Sequence, residues 1–183
     1  DMFVTFAADM DVGDANLDFA SVNVPFSLGF AYQHDFGAPS GWTFDKSIFG
    51  VPFFPGVGFV GVKYLSSPNV IDPTTGLPVI DPVTGKPKQV GLTLYSNTSR
   101  ETAFQDPNDV FQLYRYSTGK IDPGLGDDTC NVGDVSVTHI CFINGYLGGG
   151  SPADMRFFQS SGPLTLPPGG SGSVVVAYIF AAP

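Results

Sequence analysis

Glycine and proline occur throughout this chain, and they bound short segments rich in aromatic and β-branched residues. The 183 residues include 23 Gly, 16 Pro, 17 Phe and 7 Tyr. Aromatic and β-branched side chains suit the pleated, half-buried surface of a sheet, whereas Gly and Pro mark the turns between strands. The sequence therefore predicts an all-β protein with long loops and a buried core.

Several segments of the chain have this strand pattern, and they lie at 2–8, 25–32, 57–65, 90–96, 135–143, 155–161 and 173–182. The last segment is apolar on both faces, which predicts a central strand covered on both sides or a strand that meets a partner. The Pro and Gly residues before it predict that the chain ends in a hairpin. We therefore predict a single domain over residues 1–183, an antiparallel β-sandwich of jelly-roll or Ig-like type.

One segment has a helical pattern instead. Asp106 can cap a helix that begins at Pro107, and Gly119 can end it. The apolar residues between them can share one face. We predict one short helix near 107–117.

Residues 69–89 contain an internal repeat, VIDPTTGLP followed by VIDPVTGKP. Each copy has Asp-Pro at the start of a turn and Gly near its end. The repeat predicts a protruding ribbon inserted into the domain. This ribbon is either an exposed loop or an arm that reaches a neighbouring subunit by strand addition.

The charge of the chain excludes several partners. The net charge is −9, and no basic stripe interrupts it, so we expect neither nucleic acid nor an anionic membrane surface as a partner. No run of 18 apolar residues is present, so we expect no membrane insertion. Because the chain begins at Asp1 without a signal-like segment, we interpret it as a mature or excised domain.

Cys130 and Cys141 are the only cysteines. A single pair at this spacing in an Asp-, Gly- and Pro-rich chain predicts a disulfide and an extracytoplasmic location. The turn-forming residues lie at 131–134 rather than midway between the cysteines, so the bridge would close an irregular loop. Two buried free thiols are the alternative.

An acidic run with no nearby Lys or Arg is the best candidate for a metal site. Ca²⁺ prefers six to eight oxygen ligands from carboxylates, amides, carbonyls and water. The run lacks the closing Glu of helical calcium-binding loops, and a solvated loop or a set of turn caps would also explain it. The candidate ligands are Asp9, Asp11, Asp14, Asn16 and Asp18, and a weaker acidic patch contains Asp127, Asp128 and Asp134.

The sequence gives little support to catalysis. The two histidines, His34 and His139, have no recognisable Ser or Cys nucleophile motif beside them. Glycosidases use paired carboxylates and draw largely on Glu, whereas this chain has 16 Asp and only Glu101. We expect no enzymatic activity, and a hydrolase is the least favoured function.

Aromatic residues in two loop-like stretches form a candidate binding surface. Pro and Gly prevent a regular strand there. The rings could stack on sugars, plug the end of a sandwich or face a partner subunit. These residues are Trp42, Phe44, Phe53 and Phe54.

Four stretches together resemble segments of large secreted bacterial proteins that often carry a C-terminal sorting domain. They are DMDVGDANLDF, FPGVGFVGVKYLSSP, DPNDVFQLYRYSTG and DMRFFQSSGPLTLPPGGSGSVVVAYIFAAP. The resemblance implies export and a β-sandwich, and it implies no catalytic residues. We therefore expect a secreted or cell-surface structural module that assembles with itself or with other surface proteins, with Ca²⁺ stiffening its acidic loop. A carbohydrate-binding module that uses Trp42 is the alternative.

Overall fold

The computed structural model describes residues 2–33, 58–99, 105–143 and 151–181. Within these ranges the chain is mostly β, and eight strands form two four-stranded sheets. The prediction of a β-rich fold is therefore confirmed. None of the helices in the described ranges is long and apolar enough to cross a membrane.

The first sheet contains strands from both halves of the chain. They are β1 (Met2–Asp9), β5 (Leu94–Ser99), β6 (Ile140–Phe142) and β7 (Met155–Leu164). Their spatial order is β1-β7-β5-β6, with β7 antiparallel to both of its neighbours. Because β6 runs parallel to β5, this sheet is mixed, and the expectation of a purely antiparallel arrangement does not hold for it.

The second sheet is antiparallel throughout. Its strands are β2 (Asp18–Asn23), β3 (Leu28–Gln33), β4 (Phe59–Ser66) and β8 (Val175–Ala181), in the spatial order β2-β3-β4-β8. In the described part of the chain β8 pairs with β4 alone and lies at the edge of its sheet, which contradicts the central strand. The alternative, a strand that meets a partner, stays a prediction. The predicted terminal hairpin is also wrong, because β7 and β8 lie in different sheets.

Strand β2 has no counterpart among the predicted strands, because it follows directly on the acidic run and shows no apolar–polar alternation. Ala20 and Val22 belong to the core, and Phe19 and Ser21 between and beside them are buried as well. The strand starts at Asp18, so the last acidic residue of the run lies inside a sheet rather than in a loop.

The two sheets contribute apolar side chains to one shared core, and a polar side chain links them. The Gln159 side-chain amide donates to the Val62 carbonyl at 3.0 Å, and its Oε1 accepts from the Gly29 amide at 2.9 Å. The Tyr64 hydroxyl donates to the Gln159 carbonyl at 2.8 Å. A Cβ at Gly29 would lie 2.7 Å from Gln159 Oε1, so glycine is required for this close approach.

The predicted helix is present, but it begins later than expected. Helix α1 spans Val110–Thr118, and the Asp109 side chain caps it by accepting from the Phe111 and Gln112 amides. Asp106 is not the cap, because its carboxylate accepts the Thr98 hydroxyl at 2.7 Å. Gly119 ends the helix in the left-handed conformation, as predicted.

The predicted strand 135–143 is mostly wrong. Its first residues form a one-turn helix, α2 (Val135–Thr138), which Asp134 caps by accepting from the Ser136 amide. Only Ile140–Phe142 forms a strand. The Cys130–Cys141 disulfide is present and closes this irregular segment, so the predicted bridge is confirmed.

The repeat at 69–89 forms two tight loops that return to one point. The Val70 amide donates to the Lys88 carbonyl, the Lys88 amide to the Val79 carbonyl, and the Val79 amide to the Val70 carbonyl, at 2.8–2.9 Å. We call these three residues the three-way junction. Their backbone donors and acceptors bond to one another, so the junction itself has no free edge for strand addition.

Candidate functional site

The structure divides the acidic run among different elements. Asp9 ends β1, Asp14 caps the short 3₁₀ helix Ala15–Leu17, and Asp18 begins β2. The residues are neighbours in sequence, but the chain turns twice between Asp9 and Asp18. Their carboxylates therefore have different surroundings and different partners.

Asp14 and Asn16 interact with each other. Asp14 Oδ1 accepts from the Asn16 backbone amide and from its side-chain amide, both at 3.1 Å. This is a local turn of the kind that aspartate stabilises without any metal. Among the described acidic, His and Cys side chains, Asp14 is not brought into a group of possible metal ligands with Asp9 and Asp11.

Asp9 and Asp11 instead meet an aspartate from a distant part of the chain. One carboxylate oxygen from each of Asp9, Asp11 and Asp154 lies within 4.8 Å of the other two. Asp154 directly precedes β7, and the Ala153 amide donates to the Asp18 carbonyl at 3.0 Å, which brings this segment to the acidic run. We call Asp9, Asp11 and Asp154 the acidic triad.

Asp154 is not among the predicted ligands, and its position in the sequence offers a modest indication of its role. It stands immediately before a segment with a strong strand pattern, and residues at strand ends gather at a sheet edge. Asp154 comes to the same sheet edge as Asp9 because β7 pairs with β1, and these strands are more than 140 residues apart in the chain. Local sequence patterns do not specify such a pairing.

One arginine faces the acidic triad. Arg156 Nε lies 3.3 Å from Asp9 Oδ2 and 3.6 Å from Asp106 Oδ2, and Arg156 Nη2 lies 3.0 Å from Asp154 Oδ2. Among the described residues, Arg156 is the positively charged side chain that forms ion pairs with Asp9, Asp106 and Asp154. A single positive charge leaves the group of carboxylates with an excess of negative charge.

Asp18 is a buried carboxyl group beside the triad. Its side-chain Oδ2 accepts from the Val12 amide at 2.9 Å, whereas its Oδ1 is buried and has no hydrogen-bond partner. Burial raises the pKa of Asp18 to about 8, against a smaller lowering by the Val12 hydrogen bond. The charges of Asp11, Asp154 and Asp14 raise this pKa further.

The second acidic patch is used for structure. Asp127 Oδ2 accepts from Arg115 Nε at 2.5 Å and from the Asp122 amide at 3.0 Å. The hydrogen bond from Arg115 is the main reason that the pKa of Asp127 is lowered to about 2. Asp134 caps α2, so Asp127 and Asp134 have separate structural roles.

Two other sets of predicted residues are placed as follows. His139 ends α2 in a left-handed conformation, and its Nδ1 lies 3.3 Å from the Thr93 carbonyl oxygen. His34 lies outside the described residues. So do the proposed aromatic binding residues Trp42, Phe44, Phe53 and Phe54, on which the carbohydrate-binding hypothesis depends.

Strand β8 presents large apolar side chains on both of its faces. Tyr178 and Phe180 pair with Val62 and Val60 and so lie on the core side, yet they are 61% and 63% exposed. On the opposite face, Ile179 borders an open apolar groove of about 270 Å³. The other groove residues are Leu28, Phe30, Phe59, Gly61 and Ala181.

No protein-family model, curated protein or solved structure matches the chain. The functional interpretation therefore rests on two features of the molecule itself: the apolar edge strand β8, and the open apolar groove beside it.

Proposed function

We propose that the protein is a secreted or cell-surface structural module that assembles with a second copy of itself through strand β8. The observation that carries this proposal is that β8, a strand of seven residues with exposed apolar side chains on both faces, lies at the edge of its sheet within the described ranges. An unpaired edge offers a row of backbone donors and acceptors to another strand.

The other edges in the described part of the chain are less suited to pairing. Strand β6 has only three residues, and β1 carries an irregularity near Met2 and ends on the charged Asp9. Strand β2, the other edge of the second sheet, is buried along almost its whole length. Strand β8 contains no charged residue and no proline, the devices that usually protect an edge. Its one irregularity lies at its start, opposite Tyr64 and Ser66.

A second copy fits this edge because the pairing would be self-complementary. The second sheet is antiparallel throughout, and two β8 strands related by a two-fold axis would continue that pattern across the interface. Tyr178 and Phe180 would then pack on the core side, and Ile179 on the other. Both copies are acidic overall, but β8 contains no charged residue, so the paired strands bring no like charges together.

The location and the finer fold belong to the same proposal. We infer that the two sheets form a β-sandwich of jelly-roll or Ig-like type, since the Gln159 side chain and the Tyr64 hydroxyl link them face to face. The Cys130–Cys141 disulfide favours an oxidising compartment outside the cytosol. A structural role needs no catalytic group, and none is assigned.

Sedimentation velocity over a range of protein concentrations tests the proposal. We expect the wild type to form dimers and Tyr178→Lys to sediment as a monomer, because the substitution places a charge on the pairing strand. Val83→Lys is the matched control, because Val83 is an apolar residue, 91% exposed, at the tip of a repeat loop. The control should dimerise like the wild type.

Two results would contradict the proposal. One is a wild type that stays monomeric at every concentration. The other is a dimer that Tyr178→Lys leaves intact, which would place the contact elsewhere. All samples contain EDTA, so the outcome is independent of any bound divalent cation.

A further inference from the structure

We propose that the outer face of the second sheet, the face turned away from the first sheet, binds one molecule with an apolar chain and a carboxylate head, of the fatty-acid class. The chain lies in the open groove that Ile179 borders, and the carboxylate meets the Lys63 ammonium. The site belongs to a single chain and lies on the β4 side of β8, so it does not depend on the proposed dimer.

The groove follows from the register of three strands. Phe30 pairs with Gly61 across β3 and β4, and Gly61 pairs with Ile179 across β4 and β8, so the three residues form one row. The row is on the outer face, because the next residue of β4, Val62, is 1% exposed and belongs to the core. A Cβ added at Gly61 would lie 2.9 Å from Leu28 Cδ1, so this glycine sets the depth of the groove.

The described residues that line the groove have no polar side chain. Contiguous apolar surface of this kind is typical of ligand-binding grooves, and moving methylene groups from water into it is favourable. The lining residues are Leu28, Phe30, Phe59, Gly61, Ile179 and Ala181.

A cation lies at one end of the groove. Lys63 pairs with Leu28, a groove residue, and lies two residues beyond Gly61 on the same face of β4. Its Nζ donates to the Phe26 carbonyl at 2.9 Å and is 5.2 Å from the centre of the Phe26 ring, so the ammonium is held in place. An ammonium has three N–H donors, and two of them remain for a ligand.

Lys63 has no acidic partner among the described residues. The chain has 17 acidic residues and only 8 Lys and Arg, and both Arg115 and Arg156 form ion pairs with aspartates. An unpaired cation beside an uncharged apolar groove favours a ligand that is anionic at one end and apolar along the rest. The net charge of −9 repels an anionic membrane surface, so a free molecule is the favoured ligand.

The groove suits a chain of medium length. It extends along the sheet from the Phe59–Ala181 pair, through Gly61, to Lys63. These are two steps of two residues each along β4, or about 13 Å. The volume of the groove is about 270 Å³. Decanoate, a saturated chain with a carboxylate at one end, is therefore the probe.

Isothermal titration of sodium decanoate, kept below its micelle threshold, tests the proposal. We expect one saturable site per chain in the wild type. Lys63→Gln should weaken decanoate binding about tenfold or more, because the charged donor is lost. Decanol has the same chain without the charge and should bind both proteins equally, which also shows that the variant is folded. Decyltrimethylammonium should bind the wild type more weakly than decanoate does.

Three further variants serve as controls. Lys88→Gln removes the same charge from the exposed repeat ribbon and should bind decanoate like the wild type. Ala181→Phe enlarges an exposed groove residue and should block decanoate and decanol alike. Tyr178→Lys alters the opposite face of β8 and should leave binding unchanged, so the proposed dimer and this site can fail independently.

Four results would overturn the proposal. The first is a wild type without saturable decanoate binding, and the second is a Lys63→Gln variant that binds decanoate as tightly as Lys88→Gln. The third is an Ala181→Phe variant that binds like the wild type. The fourth is decyltrimethylammonium binding as tight as that of decanoate, which would remove the role of the carboxylate.

Discussion

Asp18 and Asp127 are both buried aspartates, and their surroundings shift their pKa values in opposite directions. Asp18 is 1% exposed, accepts one backbone hydrogen bond and lies among other acids, and its pKa is raised to about 8. Asp127 is 5% exposed, pairs with Arg115, and has a pKa of about 2. The partner of a buried carboxyl group, rather than burial alone, decides its charge state.

The difference has a consequence for ionisation. The positively charged partner of Asp127 is part of the fold: Arg115 lies on helix α1, and its Nη2 donates to Asp127 Oδ1 at 2.7 Å. Asp18 lacks such a partner among the described residues, and one of its oxygens is unsatisfied. Asp18 is therefore neutral up to about pH 8, whereas the Asp127–Arg115 pair is ionised at neutral pH and is complete without any ligand.

The largest effect is expected at the complete pair. Asp127→Asn should destabilise the protein at pH 7, because it leaves the Arg115 guanidinium without its charged partner and removes the carboxylate that accepts from Gln112 and the Asp122 amide. The pKa of Asp127 is lowered in the fold, so its contribution is present above pH 4 and is lost as pH falls toward 2. Urea denaturation at pH 7 and at pH 3 measures both effects.

Asp109→Asn serves as the control for that measurement. It removes a charge from the same helix but keeps a good cap, so we expect a change below about 0.5 kcal/mol. An Asp127→Asn variant as stable as this control would show that the Arg115 pair contributes nothing. The claim that a charged partner makes Asp127 stabilising, in contrast to Asp18, would then be wrong.

An effect of opposite sign is expected at Asp18. Because its folded pKa of about 8 exceeds the ordinary value of 3.8, the wild type loses stability as pH rises from 4 to 8. Asp18→Asn removes this titration and can still accept the Val12 hydrogen bond. In EDTA it should match the wild type near pH 4 and melt several degrees higher at pH 8.

Thermal melts of the wild type and Asp18→Asn in EDTA at pH 4 and pH 8, monitored by circular dichroism, measure this difference. An Asp18→Asn variant less stable than the wild type at pH 8 in EDTA would contradict the assignment of a strained, buried carboxyl group.

Local patterns were enough to predict those parts of the fold that depend on local physics. The β-rich character follows from the aromatic and β-branched segments, and Gly119 ends α1 because only glycine adopts the left-handed conformation at little cost. The segment 135–143 misleads because β-branched residues favour a strand, yet the Asp134 cap and the nearby disulfide hold a helical turn.

The candidate site could be predicted only in part. Asp9 and Asp11 belong to an acidic run that is visible in the sequence, but Asp154 joins them through the pairing of β1 with β7. The edge position of β8 has the same origin: an apolar strand looks central until its sheet order is known. Long-range pairing, which carries no local sequence pattern, accounts for both gaps.

The smallest effect is expected at an exposed aspartate, Asp81, which extends the comparison to the surface. Its carboxylate accepts from the Val83 and Thr84 amides at 2.8 and 2.9 Å, and hydrogen bonds to Thr84 and Val83 lower its pKa. Asp81→Ala should speed amide hydrogen exchange at these two residues and leave global unfolding unchanged, because the loop closes on the three-way junction rather than on the core. Asp72→Ala, the equivalent change in the first repeat, should behave alike. Because the pKa of Asp81 is lowered in the fold, the wild-type hydrogen bonds are present at pH 7 and are lost only in acid, where Asp81 becomes protonated and the wild type should exchange like the variant. Global destabilisation of Asp81→Ala at pH 7 would show that the repeat supports the domain.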